Sequence, residues 1–345
     1  MRPSFALFSL ILVATAQTAY ADDTTPDLTP AANRAPSNNA VPDETPALAD
    51  RPPLDDGKPW IFGVQKTISK EKTWEEATAL EGYLTAALKH KVKAQLFSSY
   101  DELSDALSGG KVDIAWINPF PFVHATFAQP DIRAVAKVLR NGATTYRSAI
   151  FVRKSSTAQS LADLKGAKPA WVDKDSSAGY LYPRAMFMKA GVPSFPNEHF
   201  YGTHQAACQA VVSGEADFGA TFQNESDKPS PDGCVNSLGP GPGSQLRALI
   251  ASGPIPNEVI AVRSGFNQDV ADAMGVVFGQ MSETDAGRAV LKQVFEAEGF
   301  GAPLDSDFDS VRNVAAMVRG EKPLAQAKAA PTPAPASKTK KKKQH

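Results

Sequence analysis

Residues 168–189 read KPAWVDKDSSAGYLYPRAMFMK. Ala170, Trp171 and Val172 have the composition of a short buried strand, and Asp173, Lys174 and Asp175 make a polar turn behind it. Ser176, Ser177 and Gly179 then open an apolar helix. A strand that feeds through small polar residues into a helix aims several backbone N–H groups at one point, and those groups have no partner inside the helix. The helix dipole adds roughly half a positive charge there. Such a place suits an oxyanion, and serine hydroxyls supply further donors. Taken alone, the same residues also fit an ordinary serine N-cap.

The rest of the chain sets this stretch in an alternating pattern. Upstream, apolar strand-like runs at 60–64, 92–98, 112–117, 132–139 and 148–152 are separated by helical spacing at 74–89 and 100–107 and by a helix opening at Pro119. A short helix at 161–164 leads into 168–189. Downstream come a strand near Phe200, a helix at 204–213 and a strand at 216–221. A Pro- and Gly-rich segment at 229–243 reads as loop. A strand at 246–251, a stiff turn at 254–258, a strand at 259–262 and helices at 267–281, 286–297 and 307–319 complete the pattern. This βαβα order predicts a parallel α/β sheet in each of two blocks. The second block starts near Ile150 and ends near Gly253. The elements after Gly253 include too little strand for a third domain, so the chain is expected to return to the first. The expected lobes are 59–148 plus 255–319, and 149–254, joined by two hinge crossings around a ligand cleft. Ligands of open α/β sheets sit outside the carboxyl ends of the strands, and hinge closure around them is a known use of the arrangement.

The chain has 345 residues, 42% of them hydrophobic, and a net charge of −1. That is long enough for two domains with cores, and the charge gives no support to a nucleic-acid role. Arg2, the apolar run 5–16 and Ala19-Tyr20-Ala21 read as a cleaved secretory signal over 1–21, so an exported protein is expected. No cysteine lies near the cleavage point, so no lipid anchor is expected, and no later run of ~20 apolar residues would cross a membrane. Residues 22–58 read as a disordered Pro/Ala-rich linker and 320–345 as a disordered Lys-rich tail. The lysine run 340–343 fits a solvated tail, and also contact with an anionic envelope surface.

The two cysteines, Cys208 and Cys234, suggest a disulfide by their even count in an exported chain; two separate buried thiols are the alternative. No zinc-ligand spacing accompanies them. No Gly-x-Ser-x-Gly elbow, phosphate loop or His-Glu-x-x-His pair is present, and neither an enzyme nor a cofactor is expected.

Several ordered pieces carry a resemblance. Asp113-Ile114-Ala115-Trp116 follows a Gly-Gly-Lys turn, and residues 146–154 read YRSAIFVRK. SLADLKG at 160–166 precedes DSSAGYLYP at 175–183. Gly202-Thr203-His204 opens a helix that Gly214-Glu215-Ala216-Asp217 ends, and Pro254-Ile255-Pro256 stands before the return strand. In this order they resemble the phosphonate-binding periplasmic proteins of the PhnD type, over roughly 60–317. The resemblance implies a type II periplasmic binding protein fold and a phosphorus oxyanion, phosphonate, phosphate or phosphite, held at the helix start. By position that role falls on Ser176, Ser177, Ala178 and Gly179, with His204 contacting the same anion. Ala178 stands where the family often has a third hydroxyl. The family's aromatic wall falls on Tyr100 and Tyr146. Glu258 and Glu225 match acidic residues that hold the ammonium of aminoalkyl phosphonates, and Thr67 and Ser69 border the ligand. Trp116 fits either a place under the ligand or a structural tryptophan. The partner implied is the permease of an ABC importer, with membrane contact only through it, for a protein acting as a monomer; a sensor of the same fold feeding a membrane histidine kinase is the other reading.

Overall fold

The computed structural model describes residues 57–65 and 70–320. In chain order it contains β1 Trp60–Gln65, α1 Lys70–Leu88, β2 Val92–Phe97, α2 Tyr100–Ser108, β3 Ile114–Ile117, α3 Pro119–Ala128, β4 Arg133–Leu139 and β5 Thr145–Arg153. Then come β6 Pro169–Trp171, a π-helical turn Ser177–Leu181 that runs into α4 Tyr182–Lys189, β7 His199–Phe200, α5 His204–Ser213 and β8 Phe218–Gln223. The remainder is α6 Asp232–Leu238, α7 Pro240–Gly243, β9 Leu246–Ala251, β10 Ile255–Pro256, β11 Val259–Val262, α8 Gln268–Gly279, α9 Asp285–Val290, β12 Gly299–Gly301 and α10 Asp309–Arg319. The expected signal peptide, linker and tail, and Thr67 and Ser69, lie outside the described residues apart from their edges at 57–58 and 320.

The strands form two six-stranded sheets. The first has the order β12-β4-β11-β3-β1-β2; the second has β10-β5-β8-β6-β7, with β9 also pairing β5. The chain does return to its starting sheet, through β11 and β12. The expectation of parallel sheets is corrected to mixed ones. β1 pairs in parallel with β2 and β3, but β11 enters antiparallel between β3 and β4. In the second sheet β6 is parallel to β7 and β8, while β5 runs antiparallel to β8, β9 and β10. The reason is the connectivity. Parallel neighbours come from local strand-helix-strand units, whereas β5 and β11 are the segments that cross between sheets and arrive from the opposite direction.

Each sheet is packed on both faces. Phe62, Leu80, Leu84, Met274 and Phe278 fill one side of the first, and Leu107, Phe120, Phe122, Phe308 and Val311 the other. Ala178, Leu181 and Tyr182, which come after β6 of the second sheet, are buried in that latter cluster. The start of the helix is thus seated against the first lobe. In the second lobe Trp171 stands edge-on to Tyr180, Phe187, Phe195 and Phe218, at 5.5–6.2 Å between ring centroids.

The two crossings are tied side by side. Ile255 pairs with Tyr146 and Pro256 with Thr145. Asn257, 1% exposed, donates from its amide to Val138 O and Ala143 O, both at 3.0 Å, while its backbone N–H reaches Thr144 O.

The segment 229–243, read from its prolines and glycines as loop, instead holds α6 and α7. Its glycines serve contact rather than looseness. A Cβ on Gly233 would stand 2.0 Å from Thr221 Oγ1, so only glycine lets α6 lie on β8. Cys234, in the first turn of α6, is bonded to Cys208 of α5. The bridge spans 26 residues of sequence, a loop for which cross-linking contributes about 3 kcal/mol. Thermal unfolding should therefore show that reduction, or the Cys208→Ala/Cys234→Ala double variant, lowers the melting temperature by several degrees. An unchanged melting temperature would mean that the bridge does not constrain α6 on α5.

Candidate functional site

A cavity of about 310 Å³ opens between the two lobes. Its wall includes Ser176, Ser177, Ala178, His204 and Tyr146, as well as Glu225 and Glu258. Seven residues proposed from sequence are thereby brought together. Trp116, Asn118, Arg140 and Phe295 are among the residues on the first-lobe side.

The helix start is built by local hydrogen bonding. Ser176 is the N-cap, with extended backbone, and its Oγ accepts from Gly179 N–H at 3.0 Å. Ser176 O accepts from both Tyr180 N–H and Leu181 N–H, which widens the first turn to a π-helix. Such widened turns are frequent at functional sites. Gly179 is required because the turn presses on the chain just beyond β6: a Cβ there would meet the Val172 side chain at 2.4 Å. The reading of Gly179 as an anion donor needs correction. Its N–H is already bonded to Ser176, and the residue does not line the cavity. The N–H groups of Ser177 and Ala178 have no partner among the described residues. Ser177 is 2% exposed, and its Oγ makes no hydrogen bond although the Tyr146 phenol lies beside it. A buried hydroxyl without a partner is uncommon enough to call for a functional explanation.

His204 opens α5, whose N-cap Thr203 accepts from Ala206 N–H. Its Nδ1 lies 3.0 Å from Thr221 Oγ1, and burial lowers its pKa to about 4, so the ring is neutral at pH 7. Burial also raises the Tyr146 hydroxyl well above its ordinary value, with Glu258 adding to the effect, so it stays a protonated donor. Tyr100 does not line the cavity. Its phenol is raised by burial in the same way, with Asn118 and Gln65 close enough to oppose the shift.

Both acidic residues proposed from sequence already have cationic partners. Arg140 Nη1 donates to Glu258 Oε2 at 3.1 Å, and its other nitrogens reach the backbone oxygens of Phe295 and Glu296. Arg147 Nε donates to Glu225 Oε2 at 2.7 Å, and Thr145 Oγ1 to Glu225 Oε1 at 2.6 Å. Burial pushes the Glu225 carboxyl up, but the bonds from Thr145 and Arg147 outweigh it and hold the group below its usual value. Sequence reading missed both arginines and Asn257. The available signal was positional. Arg140 directly follows β4 and Glu258 directly precedes β11, and the two strands are paired, with Val259 opposite Lys137.

The turn before Ser176 is clamped to the first lobe. Lys174 Nζ lies 2.5 Å from Asp101 Oδ2, Arg319 pairs with Asp175 and donates to Lys174 O at 2.8 Å, and the Arg319 guanidinium stands 5.1 Å over the Phe120 ring. Burial and a hydrogen bond to Asp101 raise Asp175 to about 6, so this carboxyl takes up its proton at a higher pH in the fold than in the unfolded chain. A raised carboxyl contributes stability below its unfolded value, near 3.9, that is lost as pH rises through 6. The melting temperature of Asp175→Asn relative to the parent should accordingly climb between pH 4 and pH 7. A difference that stays flat over that range would show that Asp175 is not titrating within it.

No helix among the described residues is long and apolar enough to cross a membrane. No group of three His, Cys, Asp or Glu residues suited to a metal ion occurs among them.

Comparison with known proteins gives four concordant matches. The family described as "ABC transporter, phosphonate, periplasmic substrate-binding protein" matches residues 62–308. A phosphate-import protein PhnD of Mycolicibacterium smegmatis is 28% identical over 255 residues, which is 67% of this chain and 77% of the relative. PhnD1 of Prochlorococcus marinus, solved in complex with methylphosphonate, superposes with a TM-score of 0.64 at 18% identity, covering 76% of this chain and 99% of that one. A binding-protein component of an ABC phosphonate transporter from Pseudomonas aeruginosa gives a TM-score of 0.63 at 20% identity, covering 76% and 87%. The fold is the two-lobed, type II arrangement of periplasmic binding proteins.

Proposed function

Because the chain belongs to the family of periplasmic substrate-binding proteins of phosphonate ABC transporters, we propose that it captures a phosphorus oxyanion at the helix start Ser176–Ala178 and delivers it to an importer permease. Proteins of this family bind small ligands for transport and are not enzymes. In this reading residues 1–21 are a cleaved export signal, and the protein acts as a monomer whose only membrane contact is through the permease.

The observation that carries the proposal is the Ser177 hydroxyl, buried and without a partner at the N-terminus of a helix, in a cavity between two lobes. Phosphonate, phosphate and phosphite each present oxygens that satisfy it. The N–H groups of Ser177 and Ala178 and the helix dipole favour the same negative charge. In this reading Thr221 donates to Nδ1 of His204, so that Nε2 of the neutral ring carries the proton and serves as a further donor. The Tyr146 phenol, beside Ser177, supplies another. Closure results from these contacts, since a ligand joined to both lobes binds the closed state better than the open one. The match to acidic residues that hold an ammonium is the weakest part of the resemblance, because Glu225 and Glu258 are each already engaged by an arginine. A phosphorus oxyanion without an amino group is therefore the better candidate.

Calorimetry tests the assignment. Methylphosphonate, phosphite or inorganic phosphate should bind the mature protein, and Ser177→Ala should weaken the tightest of them by roughly 1.5–3 kcal/mol, about tenfold to a hundredfold in Kd. Unchanged affinity in the variant would remove Ser177 from the site, and binding only of ligands without phosphorus would overturn the ligand class.

A further inference from the structure

Ser177 is not alone in carrying an unsatisfied buried group on the cavity wall. Nε1 of Trp116 is buried and also lacks a hydrogen-bond partner, and Trp116 lines the same cavity from the first lobe. Indole N–H groups usually find a partner when buried. Trp116 is near the end of β3, the strand that pairs in parallel with β1 and antiparallel with β11. It therefore stands at the carboxyl end of a central strand, where the strand direction changes, the position at which open α/β sheets hold ligands. Its aromatic neighbour is Phe295, edge-on at 4.8 Å on the same wall. A ring face is a weak acceptor beside an anionic oxygen.

Trp171 offers the internal contrast. Its Nε1 is unpartnered too, but the residue is 0% exposed, enclosed by four aromatic rings, and does not line this cavity. Packing accounts for Trp171. It does not account for a tryptophan placed on the wall of an anion site with its one polar atom unused.

We infer that Trp116 is a ligand-binding residue whose indole N–H donates to an oxygen of the bound oxyanion, as the first-lobe counterpart of Ser177. This rests on the oxyanion reading of the helix start. The two donors belong to different lobes, so a single oxyanion that engages both ties the lobes together. Asn118, two residues on, lines the same wall. The contact selects for an acceptor oxygen on the side of the ligand facing β3, which every phosphorus oxyanion presents and an ammonium or alkyl group does not.

The test uses methylphosphonate and inorganic phosphate, whose only acceptors are oxyanion oxygens, with the full mature chain. Trp116→Phe keeps an aromatic ring and removes the N–H. It should weaken binding of whichever probe the parent binds at least tenfold. In a nitrogen-15 indole spectrum, the resonance absent from Trp116→Phe should move downfield in its proton dimension when the parent is saturated with that probe. Ser177→Ala is measured alongside. If Ser177→Ala weakens binding while Trp116→Phe binds like the parent, the Trp116 assignment fails and the oxyanion site stands. If Trp116→Phe weakens binding but the indole resonance does not move downfield, lost packing explains the loss and the assignment also fails. If both variants bind like the parent, the oxyanion site itself is overturned.

Discussion

A helix that begins inside a protein must satisfy its first N–H groups from outside itself. Here Ser176 Oγ takes one, from Gly179, and those of Ser177 and Ala178, which line a cavity, have no partner among the described residues. Much of the arrangement around the cavity serves to hold that helix start in place. Gly179 lets the turn lie against Val172, Ser148 Oγ donates to Ala178 O at 2.6 Å, and Leu181 and Tyr182 anchor the next turn in the core of the other lobe. The Asp101–Lys174 and Asp175–Arg319 pairs fix the preceding turn from the same side. A donor array serves for recognition only when it is held in this way, because a flexible one would lose its advantage in ordering entropy on binding.

The charge balance around the cavity is less simple than an anion site suggests. Carboxylates stand in its wall, and an anion beside an isolated carboxylate would be repelled. Arg140 and Arg147 lessen that conflict by pairing with Glu258 and Glu225. The Arg140 pair has a second consequence. It joins the end of β4 to the start of β11 and the Phe295–Glu296 backbone, close to where Asn257 ties the crossings. The site and the hinge therefore share residues, and a change at one is felt at the other.

Much of this was legible in the sequence because the signals were local. The run from Ala170 to Gly179 reads as strand, turn and helix start from composition alone, and the return of the chain to its first sheet is implied by counting strands after Gly253. The π-helical turn was not legible, since it depends on how closely Gly179 approaches Val172. Gly233 illustrates the same limit: a glycine that permits contact looks identical in sequence to one that breaks a helix, so 229–243 reads as loop. The direction of β11 and the pairing of Arg140 with Glu258 come from residues more than a hundred positions apart, which no local pattern encodes. Ser177 was found by motif, but its unmet hydroxyl, and the unmet indole N–H of Trp116, emerge only once burial and partners are known.

The most direct measurement is a crystal structure of the mature protein grown with methylphosphonate or phosphate. The account predicts the phosphorus group at the start of the helix, with its oxygens within hydrogen-bonding distance of Ser177 Oγ and of the Ser177 and Ala178 N–H groups. An oxyanion bound elsewhere in the cavity, with the helix start left in contact with water, would contradict it.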